Sequence, residues 1–223
     1  MTPTFFQKHP LLKDIFGLGA FIAAIVLCTM FLNTYIYRSY NVVGASMENT
    51  LHSDDRVIVN RAAVSWAHFL GQEYIPNRGE IIVFVDEDKE KVAEYKAQGI
   101  ENPITCNIPD GSSDHPYIIK RVIAFAGERV VVKDGVMTIY NDEHPDGFVY
   151  DEGWRVSATD GPKEYTSGEV DLVVPDGEIF VSGDNREGSH SLDSRNGLGT
   201  IPYCRIIGPV SFRLFPFDSI RTF

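Results

Sequence analysis

The chain is poor in the residues that several common protein classes require. Among 223 residues there are three cysteines, too few for a disulfide-dense scaffold. Cys28 falls inside a long apolar run and reads as a small packing residue. Cys106 and Cys204 are then the one pair available for a disulfide in an oxidising compartment, and the sequence leaves that pairing open, because it does not give their separation. No cysteine or histidine sits in a metal-ligand spacing and no H-E-x-x-H occurs, so neither a metal nor any other cofactor is expected. Basic residues are also short, at 20 against 31 acidic. Lys8, Lys13 and Arg38 lie in the first 40 residues with Asp14, leaving 17 basic against 30 acidic beyond them, a net charge of −13. That balance excludes a nucleic-acid groove and polybasic binding to an anionic lipid surface.

Apolar residues make up 43% of the chain, enough for a folded protein of one sizeable domain. They are unevenly spread. Ile15 to Tyr37 is a run of 23 residues without a charge, bounded by Asp14 and Arg38. At about 1.5 Å per residue it crosses a hydrocarbon core of about 30 Å, and it predicts a single transmembrane helix over 15–37. A cleaved signal peptide is the alternative, with Lys8 and Lys13 as its basic start and Val43-Gly44-Ala45 as a cleavage site. The run is longer than such peptides use, and Tyr35, Tyr37 and Tyr40 with Arg38 resemble an interfacial belt. The flanking charges favour residues 1–14 inside the cell and the bulk of the chain outside.

Past residue 40, sustained helical periodicity is scarce and short strands alternate with turn signals, so a mostly β ectodomain is expected. The strand candidates are Val57–Val59, Glu80–Val85, Tyr117–Phe125, Arg129–Val132, Val136–Tyr140, Asp171–Val174, Glu178–Ser182 and Ile206–Phe212. Lys133-Asp134-Gly135 marks a tight turn. Helical character is confined to Lys89–Gln98 and, more weakly, Ala62–Leu70. Gly99–Pro116 reads as a surface insertion and Asn141–Gly168 as part of a smaller lobe. This organisation gives a main β domain over 38–135 and 171–223, with a smaller β/loop lobe over 136–170.

Four short blocks carry the chemistry. Ser46-Met47-Glu48-Asn49-Thr50-Leu51 lies about ten residues beyond the span, and a lone loop serine is ordinarily a solvated residue or a cap. Arg78-Gly79-Glu80 leads into an apolar strand. In Tyr117-Ile118-Ile119-Lys120-Arg121-Val122-Ile123, period-2 alternation sends Ile118 and Lys120 to one face and Ile119 and Arg121 to the other. An ammonium inside an apolar strand must be paired or lose its proton, which Lys does far more readily than Arg. A lysine so desolvated can serve as general base toward a serine hydroxyl, although an exposed edge-strand lysine explains the same residues. The fourth block runs from Ser182-Gly183-Asp184-Asn185-Arg186 to Ser189-His190-Ser191-Leu192-Asp193-Ser194-Arg195 and suggests a wall of hydrogen bonds, or simply a polar turn with an Asp193/Arg195 ion pair.

Taken in order with the anchor, these blocks resemble the bacterial type I signal peptidases, membrane-bound Ser/Lys endopeptidases that release secretory preproteins from their signal peptides. The resemblance implies Ser46 as nucleophile and Lys120 as general base, with the oxyanion held partly by the Ser46 N–H. It implies that a serine of the fourth block fixes the lysine, and that Asp193, Arg195 and Arg121 brace the site beside Gly183. It also implies that Tyr40, Val42, Met47, Leu51, Val57, Val83 and Ile119 line shallow apolar pockets for an Ala-X-Ala-like segment bound as an added strand. The partners implied are preprotein signal peptides, the bilayer and export machinery; nucleic acid is not among them.

Three departures stand out. Asn49 replaces the family's usual proline, and Gly44 stands where some members carry a serine that completes the oxyanion hole. The fourth block is two residues longer than usual, so the supporting serine is Ser189 on one alignment and Ser191 on the other, the second being slightly favoured. Two other readings compete: a Ser-His-Asp protease using His52 or His190 with Asp184 or Asp193, and a non-catalytic membrane-tethered β domain that binds envelope proteins.

Overall fold

The protein is described from a computed structural model covering residues 10–48, 50–86, 117–150, 166–188 and 190–223. The Lys89–Gln98 helix, the Gly99–Pro116 insertion and residues 151–165 of the smaller lobe lie outside the described residues.

Helix α1, Pro10–Phe31, continues through a π turn over Leu32–Ile36. Asp14–Ile36 is long and apolar enough to cross a membrane, and none of its most apolar window packs against the rest of the protein. In water that surface has nothing to offset its exposure, whereas in hydrocarbon it costs nothing. The helical run stops one residue short of the expected boundary, because Tyr37 already belongs to strand β1, Tyr37–Asn41. That strand pairs antiparallel with β2, Arg56–Asn60, from Tyr37 opposite Asn60 to Asn41 opposite Arg56. The chain therefore passes from the apolar helix directly into a sheet.

The rest is mostly β, as the strand pattern requires. The remaining strands are β3 (Ile81–Val85), β4 (Tyr117–Phe125), β5 (Arg129–Lys133), β6 (Val136–Tyr140), β7 (Phe148–Val149), β8 (Val170–Val173), β9 (Glu178–Ser182), β10 (Ile201–Pro202), β11 (Ile206–Phe215) and β12 (Arg221–Thr222). A large sheet runs β1-β2-β11-β3-β4-β9-β10, with β12 also paired to β11. A second runs β7-β6-β5-β8, so it begins at Arg129 and ends at Val173. Asp134 and Gly135 both have positive φ, the conformation a two-residue hairpin needs, and they join β5 to β6 with Lys133 opposite Val136. One short helix, α2 (Ala62–Phe69), follows β2.

β1, β7, β10 and β12 are the strands that sequence reading missed. β7, β10 and β12 have two residues each, too short for any periodicity, and β1 lies partly inside the apolar run. Ile119 packs against one apolar cluster, with Val42, Met47, Leu51, Val57 and Val83, whereas Ile118 packs against another, with Ile82, Phe84 and Val181. Adjacent residues on opposite faces of β4 are what alternation requires. Cys28 is free, Cys204 is disulfide-bonded, and Cys106 lies outside the described residues.

Candidate active site

Ser46 stands in the loop between β1 and β2. Val42 N–H donates to Asp55 O at 2.8 Å and Asp54 N–H to Val42 O at 2.9 Å, closing the loop at its base. Inside it the chain coils tightly, with Leu51 N–H donating to Met47 O at 2.8 Å, so Met47 and Leu51 plunge together into the core. Asp55 secures the loop from below: it accepts from His52 N–H at 2.9 Å and from Arg213 of β11 at 3.0 Å. These burials hold a loop serine at one place.

Lys120 reaches that place from the middle of β4, and its Nζ lies 2.7 Å from Ser46 Oγ and 2.9 Å from its neighbour's carbonyl, Ile119 O. The residue is only 4% exposed. Burial pushes its amine down from 10.5 to about 8, more than the carboxylates of Asp193 and Asp184 pull it up, while the Arg195 charge lowers it further. An amine with that affinity is substantially neutral near pH 8 and can accept a hydroxyl proton.

The floor beside the pair is built from the fourth block. Asp193 accepts from Ser191 Oγ at 2.6 Å, Gly183 N–H at 2.9 Å and Ser182 Oγ at 3.2 Å, and it pairs with Arg195 through Nε at 2.9 Å and a terminal nitrogen at 2.7 Å. Burial raises its carboxyl, but the Arg195, Ser191 and Gly183 donors outweigh that and hold it below the usual carboxylate range. Arg121 forks onto Asp184 at 2.8 and 2.5 Å and donates to Gly79 O at 2.7 Å, which ties the second, third and fourth blocks together. Arg78 of the second block pairs with Glu128 at 2.6 Å and also donates to Ile123 O. A Cβ on Gly183 would overlap both the Ser46 carbonyl and Ser191 Oγ, so only glycine permits the floor to meet the serine loop.

A cleft of about 470 Å³ opens beside Ser46 and Lys120. Of the seven residues expected to line it, Tyr40, Val42, Val57, Val83 and Ile119 do so. Met47 and Leu51 are fully buried in the cluster with them and are not among its lining residues. Ser191 reaches the site through Asp193; the hydrogen bonds of Lys120 go to Ser46 and Ile119 among the described residues. Ser189 lies outside them. Neither His52 nor His190 is hydrogen-bonded to Ser46 among the described residues, although His190 lines the cleft. No metal-binding group of His, Cys, Asp or Glu occurs among them either.

Sequence reasoning missed Tyr117, Leu192 and Asn185. The Tyr117 ring meets Tyr40 edge-on at 4.9 Å, and both line the cleft together with Leu192. Asn185 donates from its backbone to Ser46 O and from its side chain to Ala45 O, each at 3.1 Å. Its position directly after Gly183-Asp184 was the available signal.

A serine hydroxyl against a buried, easily deprotonated amine, above an apolar cleft, is the equipment of a serine endopeptidase. The family described as "Signal peptidase, peptidase S26" matches residues 15–215, and the chain belongs to that family. Among its relatives, a protein named Signal peptidase I from Bacillus licheniformis is 29% identical over 202 residues, covering 91% of this chain and 89% of that one. Signal peptidase I T of Bacillus subtilis (strain 168) is 28% identical over 203 residues, covering 91% and 86%. A solved signal peptidase I from Enterococcus faecalis V583 aligns at 23% identity with a TM-score of 0.39, covering 60% of this chain and 96% of that one.

Proposed function

We propose that this membrane-anchored serine endopeptidase removes N-terminal signal peptides from secreted preproteins, with Ser46 as nucleophile and Lys120 as general base. The observation that carries the proposal is the 2.7 Å approach of a buried Lys120 Nζ to Ser46 Oγ. Neutral Lys120 takes the hydroxyl proton as Oγ attacks the scissile carbonyl carbon. Backbone N–H groups, that of Ser46 among them, stabilise the oxyanion, since Gly44 offers no side-chain donor. As the C–N bond breaks, the Lys120 ammonium protonates the leaving amine, and the now neutral Lys120 takes a proton from the water that hydrolyses the acyl-enzyme. Asp193, Arg195, Ser191, Gly183, Asp184 and Arg121 form the platform on which the pair is held.

The substrate segment binds as an added β-strand in the cleft. β1 ends the large sheet, and β9 pairs only with the later part of β4, from Arg121 on, so the backbone beside Tyr117–Ile119 is left without a strand partner on that side among the described residues. Between those edges the apolar walls of Tyr40, Val42, Val57, Val83 and Ile119 accept small side chains at −3 and −1 from the cut. The N-terminus lies on the cytoplasmic side and the catalytic domain outside, where export machinery delivers the preprotein.

The deciding test incubates the detergent-solubilised full chain with a preprotein. Cleavage after a small residue is expected for the wild type and for His52→Ala and His190→Ala, and its loss in Ser46→Ala and Lys120→Ala. An active Lys120→Ala enzyme would refute the dyad. Absence of cleavage by the wild type would favour a non-catalytic tether. Maleimide labelling of single cysteines near either end of the span, from outside intact cells, tests the orientation.

A further inference from the structure

Helix α2 carries an apolar stripe that turns away from the protein. Trp66, Phe69 and Leu70 fall at i, i+3 and i+4, and they are 63%, 78% and 51% exposed. The Trp66 and Phe69 rings stack at 5.6 Å, so the stripe is a continuous aromatic surface. Val64 on the same helix is buried, so α2 is fixed to the body by one side and bare on the other. An eight-residue helix that, with its C-cap Leu70, exposes three large apolar side chains to water is disfavoured unless something covers them.

The position of α2 identifies the cover. Arg61 N–H, just before the helix, donates to Ile36 O at 2.8 Å, and Ser65 Oγ inside it donates to Tyr35 O at 3.0 Å. Tyr35 and Ile36 are the last two residues of the apolar span. The stripe is therefore tied by two hydrogen bonds to the point where the chain leaves the hydrocarbon, at the depth where tryptophan and tyrosine collect in membrane proteins. A second copy or a protein partner would not need that coincidence; the bilayer requires it.

We propose that α2 lies in the membrane interface, with Trp66, Phe69 and Leu70 sunk among the lipid headgroups and upper acyl chains. This rests on the membrane anchor, not on the chemistry assigned to Ser46. Its consequence concerns the active site. β2 leads directly into α2 and pairs with β1, which leads into the Ser46 loop, so α2 and the span hold the sheet at two points and fix the height of the cleft above the bilayer.

Trp66 is one of two tryptophans, the other being Trp154, which makes the test direct. The full chain carrying Trp154→Phe is placed in nanodiscs at one copy each, in ordinary lipid or in lipid brominated just below the headgroup. Burial in the interface predicts that bromine lowers Trp66 emission about two-fold or more while aqueous iodide has little effect. Emission unchanged by bromine and strongly quenched by iodide overturns the proposal, whatever the protein's activity. Should Trp154→Phe fail to fold, the difference between wild type and Trp66→Phe under the same quenchers reports the same quantity. A single copy in pure lipid has neither a second protomer nor a partner protein to shield the ring.

Discussion

At neutral pH Lys120 lowers the stability of the fold it serves. Its folded affinity of about 8 lies below the ordinary 10.5, so between those values the folded state holds fewer protons than the unfolded chain. Stability contributed by this group therefore rises with pH across that window, and below about 8 its full cost applies. Lys120→Met should raise stability at pH 7 by about 2 kcal/mol, an advantage that shrinks toward pH 10.5; urea melts at pH 7 and pH 10 measure it. The same substitution should lower kcat/KM by about 10²-fold or more. Lys120→Arg should be equally inactive, because a guanidinium does not give up its proton. In the wild type, kcat/KM should rise with pH through a midpoint of about 8, read from a profile with a short peptide substrate. Asp193 has a pH slope of the same sign but stabilises the fold at neutral pH, since its depressed affinity gives stability that is present above the ordinary carboxylate range and is lost on acidification below it. Asp193→Ala strands the buried Arg195 and should cost about 3–5 kcal/mol in a urea melt, with catalysis lost as the platform loosens.

Elements place these groups where residue chemistry alone does not. β4 carries Lys120, Arg121 and the Ile119 wall in succession, and β9 delivers Gly183 at its end, so the site is a crossing of two strands with one loop. Gly183→Ala tests that crossing: the added methyl must push against Ser46 O and Ser191 Oγ. A stability loss of about 1–3 kcal/mol is expected, and, if Ser46 acts as proposed, a fall in kcat larger than any change in KM, because Ser46 is displaced and the apolar cleft is not. Along the cleft, Ile119→Ala removes wall volume and should shift preference at the small-residue positions toward Val by about ten-fold or more, measured by competition between Ala- and Val-containing preproteins.

For the whole molecule, the arrangement joins an apolar span to a mostly β catalytic body with no linker between them, since Tyr37 follows the span and is already paired in the sheet. A chain lacking residues 1–36 loses both the anchor and the carbonyls that hold α2. It should still cleave a short soluble peptide, while cleavage of a preprotein embedded in vesicles falls about ten-fold or more as the effective concentration supplied by the shared membrane is lost.

Composition and pattern alone determined much of this: a 23-residue charge-free run has one stable setting, and β-branched runs between turn residues have another. Tyr117–Phe125, Val136–Tyr140 and Glu178–Ser182 formed strands at the expected bounds, because each is rich in β-branched and aromatic residues and is bounded in the sequence by Gly, Pro, Asn or Asp. The family resemblance carried by the motif order singled out Ser46 and Lys120, since neither residue stands out by its own local pattern. Tertiary structure decided what depends on distance between residues far apart in the chain. It set the Lys120 amine against Ser46, routed Ser191 to Asp193, buried Met47 and Leu51 in the core cluster, and brought Tyr117 and Leu192 into the lining of the cleft. Local propensity encodes how a segment folds, but which groups meet, and how far burial shifts their protons, is fixed only when the sheet closes over them.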